Sequence, residues 1–193
     1  ETYHAKKRVN KMKSQTAEII DLQSIVKKED NLLPNMFFKK LKNIVEGYNF
    51  QWYFQNATVP NLKKEPKDNF MFTHNLFVGG KKTSSWFETF EPIIYAINEK
   101  VKINELIGMK LNLYTNQHKN IKHASHRDYA DPTNQNPTIG LLNFTTCDGG
   151  TNINKKIYQS KENQILIFDN KLKHFGITQT DNPTRIVLNI GWK

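Results

Sequence analysis

Cysteine is nearly absent from this sequence, since Cys147 is the only one among 193 residues. A single cysteine excludes an intrachain disulfide and a cysteine-rich zinc cluster. Such sparse use of cysteine is typical of a reducing compartment, and we therefore expect the protein in the cytoplasm. Cys147 itself is interpreted as a small hydrophobic or loop residue, because no base stands beside it in the sequence.

Long apolar runs are absent too. No stretch reaches about 18 apolar residues, the length that predicts a transmembrane helix. The chain begins with Glu1 and a basic, polar segment where a secretory signal would be apolar. We therefore expect neither a secretory signal nor a membrane partner. The chain also has no internal repeat and no low-complexity tract, which excludes a repeat architecture.

The overall amino-acid composition is typical of one globular domain. Hydrophobic residues make up 37% of the chain and charged residues 24%, which suits a packed core of this length. The net charge of +10 would attract anionic substrates or polyanions, and it supports nucleic-acid binding only weakly. Basic residues crowd positions 1–13, so we predict a flexible arm there and a single domain over 14–193.

Apolar spacing predicts helices in the first half of the chain. They are expected over 14–26, 35–47 and 84–97, with Ser14 and Asn35 as N-caps and Pro92 in the first turn of the third. Alternating residues predict strands at 50–54, with Phe50, Trp52 and Phe54 on its buried face, and at 70–76. A polar loop is expected between Pro60 and Pro66.

Short strands are predicted from Leu106 onward. They are expected at 109–114, 139–144, 153–158, 164–168 and 185–192, with turn residues between them. Helices followed by many short strands are typical of an α+β protein, here mainly β, whose strands form a sandwich or barrel with helices on one side.

A metal site is predicted from three residues of the strand region. His126 and Asp128 are two positions apart, so on an extended segment both side chains project from the same face. Two histidines and one carboxylate form the facial triad of non-haem iron(II) oxygenases. His174, which follows the strand at 164–168 and the turn after it, is the candidate for the third ligand.

The last predicted strand carries an arginine on its inner face. Its alternation places Arg185 and Asn189 opposite a purely apolar face formed by Ile186, Leu188, Ile190 and Trp192. If this strand lies inside a barrel, Arg185 points into a cavity, and a buried guanidinium needs an anion. A carboxylate-bearing cosubstrate would supply that anion. On the strand at 109–114, Asn112 and Tyr114 share one face, and Tyr114 either reaches such a cosubstrate or packs in the barrel.

In their order and spacing, these residues resemble the iron(II)- and 2-oxoglutarate-dependent oxygenases, particularly the prolyl-hydroxylase-like branch. The stretch from Leu142-Asn143 to Asp148-Gly149-Gly150-Thr151 is similar to a hairpin of that branch, and 163–190 is similar to its C-terminal block. The resemblance covers 106–193 closely and the preceding helices only in layout. The compact size is similar to that of stand-alone oxygenases of phages and marine microbes.

The resemblance implies a double-stranded β-helix, or jelly roll, with N-terminal helices covering one sheet. The helical support would span 14–105, and the core would span 106–193 with strands added from 50–76. Fe(II) would be held by His126, Asp128 and His174, with 2-oxoglutarate and O2 as cosubstrates. Arg185 would pair with the far carboxylate of 2-oxoglutarate. Further cosubstrate contacts are predicted for Tyr114, Asn112 and Asn189.

The implied function is hydroxylation of a C–H bond in a peptide, a protein side chain or a small molecule, with release of succinate and CO2. Oxidation of a nucleic-acid base or nucleoside, and a catalytically inactive jelly-roll binding protein, are the alternatives. Gly191 stands where the base-demethylase branch usually carries a second arginine, which argues against that branch. Leu141 replaces an aromatic hydroxyl that often assists cosubstrate binding in prolyl hydroxylases. His118 and His123 are interpreted as exposed loop residues.

Overall fold

A computed structural model describes residues 26–59, 68–129 and 137–193. Within these residues the chain forms three helices and eleven strands. The helices are α1 (Asn35–Val45), α2 (Phe87–Phe90) and α3 (Pro92–Asn98). The strands are β1 (Lys27–Glu29), β2 (Tyr53–Gln55), β3 (Met71–Val78), β4 (Lys81–Lys82), β5 (Leu106–Thr115), β6 (Thr138–Asn143), β7 (Gly150–Ile153), β8 (Lys156–Gln159), β9 (Ile165–Asp169), β10 (His174–Ile177) and β11 (Thr184–Trp192). Across the described segments, none of the helices combines the length and the apolarity that a membrane span requires.

The strands form two antiparallel sheets. The larger follows the order β1-β9-β6-β11-β5-β3-β2, with β4 paired to β3, and the smaller follows β10-β7-β8. The segment before Asp128 continues the smaller sheet, because Lys122 bridges Ile177 and His126 bridges His174. This mainly β, antiparallel arrangement agrees with the predicted class and with a jelly-roll-like architecture.

Strand β11 lies in the middle of the larger sheet, between β5 and β6. Its apolar face belongs to the main hydrophobic core, through Ile186, Leu188, Ile190 and Trp192. Its other face is buried as well, and Val187 there joins a second apolar cluster. The predicted alternation is therefore confirmed, and neither face of this strand is left to solvent.

The helices begin and end close to the predicted positions, with two differences. Asn35 is the first residue of α1 and follows Pro34, so it is not the N-cap. The predicted third helix is divided into α2 and α3 because Pro92 has no N–H to continue the hydrogen-bond ladder, and it occupies the first turn of α3. The buried residues of all three helices belong to the main core, where Phe38 stacks on Phe144 with ring centroids 5.4 Å apart.

The strand predicted at 153–158 is wrong. Asn154 and Lys155 both adopt positive φ, 48° and 68°, which is typical of the tight turn between two hairpin strands, and the segment is the β7–β8 hairpin.

Strand β2 is shorter than predicted, and Phe54 is 59% exposed, so its predicted burial is wrong. Strands β1, β4 and β10 were not predicted. The basic arm at 1–13, nearly all of the helix predicted at 14–26 and the loop predicted between Pro60 and Pro66 lie outside the described residues.

Candidate active site

Three predicted ligand side chains meet at one point between the two sheets. His126 Nε2 lies 3.5 Å from Asp128 Oδ1, and His174 Nε2 lies 3.3 Å from Asp128 Oδ2. One nitrogen or oxygen from each residue falls within 4.8 Å of the others. The backbone fixes this meeting, because His126 and His174 exchange two hydrogen bonds of 2.9 and 3.0 Å between their amides and carbonyls.

The hydrogen bonds around these residues leave the inward-facing atoms available. His126 Nδ1 donates to the carbonyl oxygen of Ala124 at 3.0 Å, so the lone pair is on Nε2. Asp128 Oδ2 is buried and accepts no hydrogen bond among the described residues. A buried carboxylate oxygen without a partner is unusual in a folded protein. Two imidazole nitrogens and a carboxylate oxygen fit Fe(II) as a ligand set.

The charge state of Asp128 also suits a cation. Burial alone would raise the pKa of this carboxyl, but the neighbouring His126 and His174 rings hold it well below its usual range. Burial lowers the pKa of His126, and the carboxylate of Asp128 more than offsets this effect, so the net shift is upward. Asp128 is therefore ionised at neutral pH and carries the negative charge that a metal cation would neutralise.

Arg185 contributes a second charge to the same region. Its side chain is only 1% exposed, and no carboxylate pairs with it in the described part of the chain. One guanidinium nitrogen, Nη2, donates to Thr151 Oγ1 at 2.9 Å, whereas Nε has no partner. The guanidinium carbon lies 5.4 Å from the centre of the Tyr114 ring. A buried guanidinium without a counter-ion is costly, so this side chain implies a bound anion.

One cavity joins Arg185 to the three ligand residues. Asn112, Tyr114 and Asn189, which the sequence predicted beside the cosubstrate, also line this cavity. The Oδ1 atom of Asn112 is buried there without a partner. Burial raises the pKa of Tyr114, which keeps its hydroxyl protonated and able to donate. Every predicted site residue is therefore brought to one cavity.

Solved structures that superimpose on this chain include 2-oxoglutarate-dependent oxygenases. A 2OG-Fe(II) oxygenase family protein from Burkholderia pseudomallei superimposes with a TM-score of 0.64 at 9% identity, over 94% of this chain and 90% of that one. A prolyl hydroxylase from Trichoplax adhaerens, in complex with a hypoxia inducible factor peptide fragment, gives 0.59 at 11% identity over 100% and 94%. HygX from Streptomyces hygroscopicus, with nickel, 2-oxoglutarate and hygromycin B bound, gives 0.58 at 8% identity over 92% and 86%.

The chain has the 2-oxoglutarate/iron(II) oxygenase fold. The resemblance inferred from the sequence is thus confirmed at the level of the fold, which is what identities this low establish. A scan of protein-family models and a search of the curated proteins found no match.

Within this oxygenase fold, Asn170 fixes the loop that carries Asp128. Its Oδ1 accepts hydrogen bonds from the amides of Asp128 and Tyr129 at 3.1 and 3.3 Å, and its Nδ2 donates to the carbonyl of Tyr129 at 2.8 Å. Its own amide donates to Pro137 at 3.0 Å. Asn170 therefore ties both described ends of the segment around 130–136. The sequence Asp169-Asn170 predicts only a turn, because an asparagine that fixes a distant loop has the same local pattern as one in any turn.

Tyr129 completes the support of this loop. Its ring lies on two glycines that face each other across β5 and β11, Gly108 and Gly191. A Cβ atom at Gly191 would lie 2.3 Å from Cε2 of Tyr129, and one at Gly108 would lie 2.5 Å from its hydroxyl. Only glycine leaves room for the ring at these two positions. The position of Gly191 is therefore explained by packing against the residue that follows Asp128.

The interpretation of His123 as an exposed loop residue is wrong. Its side chain is 6% exposed, and its ring centre lies 5.0 Å from that of Tyr114. Burial and the nearby charge of Arg185 lower its pKa to about 4.

His118 is exposed, as predicted, and Cys147 is buried. Thr151, the hydrogen-bond partner of Arg185, was not predicted, since a threonine in a hairpin has no distinctive spacing.

Proposed function

We propose that this protein is an iron(II)- and 2-oxoglutarate-dependent dioxygenase that hydroxylates a C–H bond. His126, Asp128 and His174 would hold the iron, and Arg185 would bind the far carboxylate of 2-oxoglutarate. Asn112, Tyr114 and Asn189 would complete the cosubstrate pocket. Iron bound there would use O2 and 2-oxoglutarate to oxidise the substrate, with succinate and CO2 as the other products.

The unpaired charge of Arg185 carries this proposal. The guanidinium is buried, it has no acidic partner among the described residues, and it faces the cavity that the three ligand residues share. An inactive jelly-roll protein would gain nothing from a desolvated cation, which costs several kcal/mol without a counter-ion. A dicarboxylate anchored between a metal and this arginine explains both features at once.

The surrounding residues have positioning roles in this scheme. The hydrogen bond from Arg185 to Thr151 and the ring of Tyr114 hold the guanidinium plane in one orientation. A planar donor fixed in this way can bind a carboxylate through two parallel hydrogen bonds. The bond from His126 to Ala124 fixes the ring tautomer, and Asn170 fixes the backbone of Asp128.

The preferred substrate class is a peptide or protein side chain, with a small molecule as the other possibility for the same chemistry. Proteins of this fold are seen both with a peptide fragment and with hygromycin B. Oxidation of a nucleic-acid base has only the net charge of +10 in its favour.

The proposal is tested by metal and cosubstrate binding followed by turnover. Under anaerobic conditions, Fe(II) with 2-oxoglutarate should raise the melting temperature of the wild type, because ligands that bind only the folded state stabilise it. On admission of O2, succinate should form, and peptide, nucleoside and oligonucleotide arms should show which substrate class accelerates it. Asp128→Ala should lose both effects, whereas Glu99→Ala, at an exposed carboxylate, should retain them. A wild type that shows neither stabilisation nor succinate would refute the proposed function.

A further inference from the structure

A second groove begins at the candidate metal site and extends away from Arg185. It has a volume of about 370 Å³ and shares Lys110, Asp128 and Asn189 with the cavity described above. A molecule in this groove would therefore contact the outer side of the three ligand residues. The cosubstrate pocket lies on the other side, toward Arg185.

The walls of the groove are largely apolar. Val78 from β3, Ile107 from β5 and the Tyr129 ring line the groove. Such a surface favours an aromatic or aliphatic group over a fully hydrated one, because apolar area is removed from water. The groove volume is suited to one side chain or one small molecule.

A row of polar side chains crosses the inner end of this groove. Lys110 on β5 pairs in register with Asn75 on β3 and with Asn189 on β11. In the described parts of the chain, none of these three side chains makes a hydrogen bond or an ion pair. Two amides therefore flank one free ammonium group, and all three face the groove.

The position of Lys110 relative to the metal site is also defined. Lys110 is half-buried, and together with burial its charge opposes the rise in the pKa of His126 that Asp128 causes. Lys110 and His126 also line the same cavity. In the proposed function, the two carboxylates of 2-oxoglutarate have other partners, the metal and Arg185. Lys110 is left without an anion.

We propose that this groove binds the molecule to be oxidised and that Lys110 pairs with a carboxylate on it, so the substrate is an acidic molecule with an apolar part. This inference rests on the proposed function for the chemistry, but the carboxylate preference itself requires neither metal nor cosubstrate. The net charge of +10 is consistent with attraction of an anion to the site.

The test uses two probes of the same shape, 3-phenylpropionate and 3-phenylpropionamide. Their dissociation constants are measured by ligand-observed NMR on the full chain without metal. We expect the carboxylate to bind about tenfold more tightly than the amide, as for a hydrogen bond to a charged group. Lys110→Met should remove this preference and Lys110→Arg should retain it, whereas Lys102→Met, at an exposed lysine outside the groove, should leave it unchanged. Equal binding of the two probes by the wild type, or an unchanged preference in Lys110→Met, would overturn the inference.

Two further measurements locate the carboxylate. With Mn(II) added, the probe protons should relax faster in the wild type and not in Asp128→Ala, because the probe lies beside the metal. The dissociation constant of 2-oxoglutarate should change less than twofold in Lys110→Met. If that constant rises about tenfold, Lys110 binds the cosubstrate and the inference is wrong. If Mn(II) and 2-oxoglutarate do not bind the wild type at all while the probe preference is present, the proposed function fails and the carboxylate site stands.

Discussion

Arg185 places a permanent positive charge inside the larger sheet, and its contacts leave that charge uncompensated. Thr151 supplies a neutral oxygen, and Tyr114 supplies an aromatic face. Neither replaces a carboxylate, which a buried guanidinium would meet with two parallel hydrogen bonds. The desolvation free energy of the guanidinium is therefore offset only when an anion binds.

Replacement of Arg185 should separate 2-oxoglutarate binding from metal binding if the proposed function holds. We expect Arg185→Met to raise the dissociation constant of 2-oxoglutarate about a hundredfold, since loss of one partner of a buried charge pair costs about 2–5 kcal/mol. The affinity for Mn(II), measured by calorimetry, should change less than twofold because none of the three proposed ligand residues is altered. Lys156→Met, at an exposed cation, is the control. Equal losses of metal and 2-oxoglutarate affinity would contradict the role given to Arg185.

Asn170 acts on the site through the backbone of Asp128. We expect Asn170→Ala to weaken Mn(II) binding about tenfold, because removal of the outer partners of metal ligands typically costs 10–100-fold in affinity. The electron paramagnetic resonance spectrum of the bound ion should also broaden as Asp128 becomes less fixed. Asn98→Ala, which removes an exposed side-chain hydrogen bond at the end of α3, should leave both unchanged. If both variants bind Mn(II) equally well, Asn170 has only a structural role.

Among single residues, those predicted from the sequence are the ones whose proposed chemistry only a few residue types can perform. A facial triad and an arginine at a strand start are recognisable because few other residues can do the same work. Asn170 and Thr151 were missed because their side chains act on residues far away in the sequence. His123 was interpreted wrongly because its local sequence resembles an exposed loop, whereas its burial comes from packing against Tyr114, a contact that no local pattern shows.

Between elements, the paired strands β5 and β11 leave room for the Tyr129 ring. Gly108 and Gly191 face each other in the register of these strands, just before an irregularity in the pairing. The aromatic ring occupies the space that two side chains would otherwise fill. The support of Asp128 therefore depends on a pair of neighbouring strands as well as on its own loop.

A methyl group at this contact should displace the ring. We expect Gly191→Ala to lower the free energy of unfolding by about 1–3 kcal/mol, as for other overpacked sites, and to weaken Mn(II) binding. Urea unfolding gives the first quantity. In a double-mutant cycle with Tyr129→Ala, the second substitution should remove most of the cost of the first. Additive effects would show that the ring and the glycine do not interact.

Strand prediction succeeded where both the alternation and the flanking turns were clear. β11 has both, whereas the segment at 153–158 reads as one strand although Asn154 and Lys155 reverse the chain within it. Asn-Lys lacks the glycine that usually marks such a turn. β10 was missed because its four residues, of which His174 is the first, show no apolar alternation.

For the whole molecule, the two sheets matter because each contributes part of the site. His174 belongs to the smaller sheet, and Arg185 and Tyr114 belong to the larger. The sequence predicted both parts, but their meeting in one cavity depends on long-range pairing that no local pattern shows. His123 lies at this junction, against Tyr114 and near Arg185 and His126, so its protonation affects the stability of the whole fold.

We expect the folded state to lose stability in acid because of the titration of His123. Burial, Arg185 and His126 lower its pKa to about 4 in the folded state, against about 6.5 in the unfolded chain. The unfolded state therefore binds more protons between these values, and the free energy of unfolding decreases as the pH falls from about 6.5 to about 4. The full loss is about 3 kcal/mol. Asp128 titrates over a different pH range. Its lowered pKa stabilises the folded state at neutral pH, and this stability is lost only below the unfolded pKa of about 4.

Urea unfolding of the metal-free protein at pH 7.5 and at a pH of about 4.5 measures this loss. His123→Gln, which keeps a polar group that does not titrate, should lose less stability than the wild type between the two conditions. His118→Gln should behave like the wild type because His118 is exposed. If all three proteins lose the same stability, protonation of His123 does not oppose folding, and a carboxylate titrating in the same range must account for the acid sensitivity.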